Sequence, residues 1–565
     1  MVDNNSDNSS VDKSNNNSGA RSGSDDDSNV FGDKKFSSEG HLIKDTKKKD
    51  DCCGHGSTGA HAKKLADSGS ESAAPECMVN VGTNVWEIPA SYKKGMLVPA
   101  RIIASEELIH SMDKGVFEQV TNVASLPGIQ DYAYCMPDGH WGYGFPIGGV
   151  AAFDPKKGGV ISPGGIGFDI NCGMRLIVTT LTEEEVAPKI KELVHLLYEK
   201  VPVGVGKKGT VRVNREEFDG LVEEGAAWVI RERGLGWPED LDTIESNGCI
   251  PQADSTKVSE KAKKRGFNQL GTLGSGNHYL EIQVADESAI VDKEAAKAFG
   301  ITKDKQVVVM VHCGSRGFGH QIGTDYLRKF VEETMPKYDI KILDKELACA
   351  PFESPEGQDY FKAMACGANM AFANRQVITH RIREAFEQVF GKSARDMGMK
   401  VVYDVAHNIA KLEKHMVESE DGSGKVEKEL VVHRKGSTRA FGPSRAADLP
   451  EAYRGIGQPV ILGGSMETGS YLLVGQDGSE KTYGSTAHGA GRVMSRMKAK
   501  KLWQGDELQA SMEKKGIYVK GASMKGLAEE AGGAYKDVHA VVKSLEEAGI
   551  TKRVVALRPI GNIKG

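Results

Sequence analysis

From Trp86 onward the chain alternates between short apolar runs and glycine-rich turns. Apolar runs of strand length, bounded by turn residues, are typical of buried strands. They predict strands at residues 149–153, 176–178, 306–311, 401–403 and 460–462. Apolar positions three and four apart between these runs predict helices at residues 183–199, 325–334, 360–390 and 527–548.

These elements follow one another without a regular β-α-β rhythm, which favours an α+β fold over a doubly wound sheet. We expect a central mixed β core flanked by helices, in one large domain over residues 81–565. Residues 414–435 predict a hairpin insertion that turns at Asp421-Gly422-Ser423-Gly424. No stretch approaches the roughly 20 consecutive apolar residues of a membrane span.

Residues 1–80 differ in composition, because they are rich in Asn, Ser, Asp and Gly and lack apolar periodicity. Such a segment buries too little apolar surface to offset its ordering entropy, so we predict a disordered acidic tail. Its Cys52-Cys53-Gly54-His55 cluster lacks a second ligand pair at finger-like spacing, which favours a solvated tail over a metal site.

Charge and cysteine content limit the class of function and the cellular compartment that we expect. The tail holds 10 Lys/Arg and 14 Asp/Glu, which leaves 63 against 64 in the remainder. A protein that coats nucleic acid would be distinctly basic, although RNA or DNA stays open as a substrate. Nine cysteines without a signal peptide indicate reduced thiols in a cytoplasmic protein, or a nuclear one in a eukaryote.

Five side chains with metal-binding chemistry lie in glycine-dense turns or at strand ends. Taken singly, a buried cysteine is the more common explanation for Cys172, and a structural histidine explains His278 as well as a ligand does. Taken together, they form a five-ligand pocket whose mixed O, N and S donors suit Zn, Fe, Mn or Co, and affinity alone does not select manganese. The five are Asp169, Cys172, His278, His312 and His407.

Two glycine-rich loops, residues 463–470 and 484–492, have amides that would suit phosphates. Neither matches the P-loop pattern. His488 lies in the second loop, and a neutral imidazole close to a phosphate can attack phosphorus. A structural turn histidine is the alternative. Arg316, after the strand at 306–311, would suit an anion.

The motifs as a set are similar to those of the RtcB family of GTP-dependent RNA-splicing ligases. The resemblance begins with Met136-Pro137-Asp138-Gly139-His140-x-Gly142-Tyr143-Gly144, in which position 141 is unspecified. It continues through GSGNH, HCGSRGFGHQ, DVAHN, VHRKGSTRAF, GGSMETGSY and STAHGAGR, and covers roughly residues 82–565.

The resemblance implies roles for individual residues. The five ligands would hold two Mn(II) ions that share the Cys172 thiolate, and His488 would become guanylated. Lys435 would meet the triphosphate, and Asp138 would orient His488. Glu281 would select guanine. The implied nucleotide contacts are Asn277, Glu281, Asn408, Gly463, Gly464, Ser465, Met466, Ser470, His488, Gly489, Ala490, Gly491 and Lys564.

The implied activity is GTP- and Mn(II)-dependent joining of RNA 2′,3′-cyclic phosphate or 3′-phosphate ends to 5′-hydroxyl ends. It would pass through a histidine-GMP intermediate and an RNA(3′)pp(5′)G end, with tRNA halves or broken RNA as substrates and archease as a partner. Two alternatives are a metal-dependent phosphoesterase and a non-catalytic RNA-binding subunit. His488 in its glycine loop argues against the first, and the complete ligand set argues against the second.

Overall fold

The computed structural model describes residues 73–419 and 421–565, and the short antiparallel strands Lys35–Phe36 and Leu42–Ile43. The Cys52–His55 cluster and most of the predicted tail lie outside the described residues. The seven cysteines of the described part are all free thiols.

The larger of two main sheets has eight strands, and it forms the centre of the molecule. Neighbouring strands are antiparallel, except that Tyr518–Gly521 runs parallel to the C-terminal strand Thr551–Lys564. Across the sheet the order is Lys400–Ala406, Gly173–Thr182, Gln306–Cys313, Tyr279–Ile290, Thr551–Lys564, Ser470–Gly475 and Pro459–Leu462.

The second sheet has seven strands, of which only Ala100–Ile103 and Ala133–His140 pair in parallel. Two-stranded ribbons join Val160–Ile161 to Ala350–Pro351 and Ser437–Arg439 to Ser485–Ala487. The order across the second sheet is Asn408–Glu418, Lys425–Lys435, Ile147–Phe153, Ala133–His140, Ala100–Ile103, Val85–Ile88 and Val79–Gly82.

Helices flank these sheets, and the longest of them is largely buried. Pro355–Phe390 begins at the Ser354 cap, whose hydroxyl accepts from the Gly357 amide, and ends before Gly391 at φ 67°. Its Ile378 and Phe386 pack with Val309 of the large sheet in one buried cluster. The α-helices are Glu106–Ser111, Lys114–Val123, Glu183–Val186, Ile190–Lys200, Arg215–Glu224, Ala226–Arg233, Glu260–Gly266, Lys293–Ala298, Arg316–Lys329, Met335–Lys337, Pro355–Phe390, Arg496–Leu502, Gly505–Lys514, Met524–Glu529 and Val538–Glu547.

The predicted α+β class is confirmed, as are all five predicted strands and the helix over 360–390. The hairpin also forms, but its strands Asn408–Glu418 and Lys425–Lys435 begin earlier than predicted and belong to the second sheet. Among the residues that the structure describes, no helix combines the length and hydrophobicity needed to cross a lipid bilayer.

Three helix predictions were wrong in their extent. The helix predicted over 183–199 is interrupted by a 3₁₀ turn at Ala187–Lys189, because Pro188 has no amide to donate. The one over 527–548 is two helices, Met524–Glu529 and Val538–Glu547, separated around Gly532 and Gly533. The one over 325–334 begins at Arg316, passes through a π-helical turn at Phe330–Thr334 and continues to Lys337.

Candidate active site

The predicted metal ligands meet at one edge of the large sheet. His407 follows the strand Lys400–Ala406, and Cys172 precedes the adjacent strand Gly173–Thr182. His312 lies near the end of Gln306–Cys313, where it pairs with Tyr279 at the start of the next strand, directly after His278. Because antiparallel neighbours reverse direction, these alternating starts and ends fall on the same edge.

The ligand atoms form two groups of three that share the Cys172 thiol. One group is Asp169, Cys172 and His278, and the other is Cys172, His312 and His407; within each group the atoms lie within 4.8 Å of one another. The Cys172 Sγ is 3.3 Å from Nε2 of His278 and 3.2 Å from Nε2 of His312. The Nε2 atoms of His312 and His407 are 3.2 Å apart.

The protonation of these groups suits a cation. Nε2 of His278 lies 2.8 Å from an Asp169 carboxylate oxygen, which places a nitrogen and an oxygen ligand atom side by side. Burial lowers the pKa of His312 and His407 well below the usual value, so both imidazoles are neutral ligands.

The surroundings of Cys172 favour the protonated thiol. Burial is the main cause and the negative charge of Asp169 the second, and together they raise the pKa of the thiol well above its usual value. A divalent cation reverses that balance, since thiols that coordinate metals lose their proton. The donor set therefore fits a metal ion whose binding releases a proton.

A buried arginine of the long helix supports the loop between Asp169 and Cys172. Arg375 donates to the backbone and side-chain oxygens of Asn171 at 2.9 Å, and to both carboxylate oxygens of Asp404 at 2.8 and 2.7 Å. Asn171 has a left-handed φ of 52°, and its amide group donates to Ala368 of the same helix at 2.7 Å. The long helix therefore holds the left-handed turn at Asn171 in place.

His488 lies against the second donor group and is held by a buried acid. Its Nδ1 is 2.7 Å from Oδ2 of Asp138, and the same oxygen accepts from the amides of His488 at 3.2 Å and Gly489 at 3.3 Å. The His488 and His407 ring centroids are 4.7 Å apart. With Nδ1 donating to the carboxylate, Nε2 retains its lone pair.

The two donor groups and His488 line one cleft of about 360 Å³. Lys435, also on its wall, donates to the carbonyls of Tyr143 and Gly164, and burial lowers its pKa to about 7. The predicted residues on the wall are Asp169, Cys172, Asn277, His278, Glu281, His312, His407, Asn408, Gly463, Gly464, Ser465, Met466, His488, Gly489, Ala490, Gly491 and Lys564.

Comparison with known proteins decides the family. A family model described as tRNA-splicing ligase RtcB matches residues 119–565. This chain belongs to the RtcB family. A tRNA-splicing ligase RtcB of Methanococcus maripaludis is 53% identical over 489 residues, which are 86% of this chain and 99% of the relative. One from Thermococcus kodakarensis is 54% identical over 482 residues, covering 85% and 97%.

A eukaryotic relative agrees. The RNA-splicing ligase RtcB homolog 1 of Entamoeba histolytica is 50% identical over 451 residues, which are 79% of this chain and 83% of the relative. The predicted RtcB resemblance is therefore confirmed, and with it the enzyme class, a ligase.

Ser470 is the one predicted nucleotide contact that does not line the RtcB cleft. It begins a strand on the far side of Thr551–Lys564, where its hydroxyl accepts from the Gln283 amide group at 3.1 Å and from the Gly464 amide at 3.4 Å. Ser470 therefore supports the first glycine loop from behind.

Several amides of the two glycine loops already have acceptors within the protein. The amide of Ser465 donates to the Thr468 hydroxyl at 3.0 Å, and that of Ala490 donates to the Gly463 carbonyl at 2.9 Å. The amides of His488 and Gly489 are taken up by Asp138. A threonine hydroxyl, a backbone carbonyl and an aspartate carboxylate accept from these donors, which the glycine pattern alone does not reveal.

Positively charged side chains line the cleft and offer an anion donors in addition to the loop amides. Six cations line the cleft against three carboxylates: Arg265, Arg316, Lys435, Arg492, Arg496 and Lys564 against Asp169, Glu281 and Glu530. Such an excess suits phosphate oxygens. Of these, the motifs contain Arg316, Lys435, Arg492 and Lys564. Arg265 and Arg496 carry no sequence signal beyond their position near the motifs.

Proposed function

We propose that this chain is a GTP- and Mn(II)-dependent RNA ligase that joins RNA 2′,3′-cyclic phosphate or 3′-phosphate ends to 5′-hydroxyl ends. One observation carries the proposal. Asp138 holds Nδ1 of His488 at 2.7 Å, which leaves Nε2 as the ring nitrogen for attack, and the ring lies 4.7 Å from that of His407 in a three-donor group.

His488 would act as the nucleophile toward the α-phosphorus of GTP. Its Nε2 lone pair forms the P–N bond while the P–O bond to pyrophosphate breaks, and the Nδ1 proton stays in place. The product is a histidine-GMP phosphoramidate whose positive ring faces the Asp138 carboxylate. A buried carboxylate at hydrogen-bond distance stabilises that charge.

Glu281 would select guanine. The carboxylate lies on the cleft wall and accepts from Asn562 and, at 2.7 Å, from Gln283. Ionised oxygens accept from the N1–H and 2-amino donors that adenine lacks. Lys564, beside Asn277 at the same sheet edge, would counter phosphate charge together with Arg492 and Arg496.

Two Mn(II) ions would occupy the two donor groups and share the Cys172 thiolate. Asp169 and His278 would complete the first site, and His312 and His407 the second. When bound, divalent cations supply Lewis acidity that offsets charge developing on phosphoryl oxygens.

The RNA end would then receive GMP from His488. A cyclic phosphate is first hydrolysed to a 3′-phosphate, which attacks the phosphoramidate to give RNA(3′)pp(5′)G and frees the imidazole. The 5′-hydroxyl of the second RNA attacks the activated 3′-phosphate, loses its proton and releases GMP. We propose tRNA halves or broken RNA ends as substrates, archease as a partner and the cytoplasm as the compartment.

Covalent labelling tests this function. The full chain is incubated with Mn(II) and [α-³²P]GTP, denatured, and counted for label that survives alkali and is lost in acid, as a phosphoramidate is. We expect label on the native protein and none on His488→Ala. His195→Ala is the control, because His195 is exposed and contacts Tyr518 at 2.6 Å away from the cleft.

Label that persists in His488→Ala refutes the assignment of the nucleophile. No label on the native protein, with Mn(II)-dependent release of RNA terminal phosphate, would favour the phosphoesterase alternative. RNA binding with neither reaction would favour the non-catalytic subunit.

A further inference from the structure

Trp141 occupies the unspecified position of the first motif and is unusually exposed for its size. It follows directly after the strand Ala133–His140, and 59% of its surface is accessible. Tryptophan is enriched at interfaces, because its indole offers a large apolar face together with a polar N–H. The other tryptophans, Trp86, Trp228, Trp237 and Trp503, are buried or half-buried.

The indole lies against a glycine, which leaves its other side open. A Cβ placed on Gly115 would be 3.1 Å from Cδ2 and 3.3 Å from Cγ of Trp141, so the ring packs against the bare backbone of the helix Lys114–Val123. That contact covers one part of the ring system, and the remaining surface faces solvent.

The backbone on both sides of Trp141 is fixed. His140 pairs with Ile147 in the second sheet. Gly142 donates to the side chain of Gln119 at 3.0 Å and accepts from it at 2.7 Å. An exposed aromatic on an immobile backbone loses little conformational entropy on binding, which is what a stacking platform needs.

The platform is close to the reacting groups. His140 lines the cleft, and its Nδ1 lies 3.0 Å from the carbonyl of Asp138, the residue that holds His488. Trp141 is three positions after Asp138 in the chain, a span of at most roughly 11 Å. Lys114, the chain neighbour of Gly115, is 78% exposed and lies 3.6 Å from a carboxylate oxygen of Glu118.

We propose that Trp141 stacks on an unpaired base of an RNA end at the edge of the cleft. This inference rests on the proposed function, because it assumes that the cleft's cations hold RNA phosphates. Single-stranded RNA is bound by cations along its backbone and aromatic side chains under its bases, and the structure places both beside His488. Every base has a flat face, so the contact would be tolerant of sequence.

The test separates GTP chemistry from RNA binding. Native protein, Trp141→Ala and Trp141→Phe are first labelled with [α-³²P]GTP without RNA, and we expect equal labelling. Ligation of a 3′-phosphate oligoribonucleotide to a 5′-hydroxyl one is then measured against RNA concentration. We expect the KM for RNA to rise roughly 5- to 140-fold in Trp141→Ala and to be largely restored in Trp141→Phe.

A base-removal series identifies the contact. Abasic nucleotides are placed singly along each RNA end. At one position the loss of the base should raise the KM of the native protein and add nothing in Trp141→Ala. Tyr92→Ala is the control, because Tyr92 is 45% exposed and does not line the cleft.

Unchanged KM in Trp141→Ala, or abasic effects that add fully to it at every position, would overturn the stacking proposal. Failure of the native protein to take up GMP would instead overturn the proposed function, so the two failures are distinguishable. Equal loss of labelling and of ligation in Trp141→Ala would assign the tryptophan to the His488 site and also contradict the proposal.

Discussion

Replacing Asp138 with asparagine removes the charge that faces His488 while keeping the shape of the side chain. Oδ2 of Asp138 accepts three hydrogen bonds, from Nδ1 of His488 and from the amides of His488 and Gly489. Both amides can only donate, so they orient the asparagine with its oxygen at this position. Nδ1 of His488 therefore still donates, and Nε2 keeps its lone pair.

The magnitude follows from the change in bond type. A hydrogen bond to a charged group contributes about 1.5–3 kcal/mol, and a neutral one about 0.5–1.5 kcal/mol. Loss of the charge therefore costs about 1–1.5 kcal/mol as the ring becomes positive, or a roughly 5- to 12-fold slower guanylation. Asp138→Ala leaves three donors unpaired and removes control of the tautomer, so we expect a loss at least tenfold larger.

The assay is the single-turnover rate of label transfer from [α-³²P]GTP at saturating GTP and Mn(II). Asp154→Asn is the matched control, because Asp154 is also buried and accepts from a backbone amide, that of Lys156 at 3.0 Å, but does not line the cleft. Thermal melts of both variants establish that they are folded.

Two results would refute this reasoning. Native rates in both Asp138 variants would show that the carboxylate does not act on His488. A loss above roughly a thousandfold in Asp138→Asn would show that the imidazole has changed tautomer, against the orientation imposed by the two amides.

Three further perturbations test other parts of the site. Cys172→Ala removes the donor common to both groups, so labelling should vanish and bound Mn(II), measured by mass spectrometry, should fall below two per chain; near-normal labelling would contradict the shared thiolate. Burial raises the pKa of Glu281 to about 7. Its ionised form rises with pH, so the KM for GTP should fall about tenfold from pH 6 to 8, and Glu281→Gln should lose this dependence and prefer GTP less over ATP. Lys536 donates to the carbonyls on both sides of Asp138. Lys536→Met should therefore slow labelling at unchanged KM for GTP, and Lys536→Arg should recover the rate. Lys263→Met, which breaks an ion pair with Asp219, should leave the labelling rate unaltered.

Local patterns predicted much of this arrangement. His312 and His407 follow apolar runs that are recognisable as strands, and His278 precedes one, so their place at strand ends was accessible from the chain itself. Antiparallel pairing then brings those ends to one edge. The long helix over 360–390 was equally visible, because its small apolar residues continue without a break.

The contacts that sequence patterns missed join residues that are far apart in the chain. Arg375 looks like one more helix residue, yet it holds the loop at Asn171 some 200 positions earlier. Two amides of the second glycine loop, those of His488 and Gly489, donate to Asp138, which lies 350 positions before His488. Sequence periodicity reports which face of an element is buried, and it carries no information about the group that the face will meet.

His407 shows how the two sheets are combined in one site. The strand Lys400–Ala406 belongs to the large sheet and Asn408–Glu418 to the second, and His407 is the single residue between these two strands. The other donors, Cys172, His278 and His312, lie at the edge of the large sheet, whereas Asp138 lies on the second. The position of His488 relative to the donor groups is therefore set by how the sheets meet. A substitution that shifts one sheet against the other would slow guanylation while leaving both the donor groups and the His488–Asp138 pair intact.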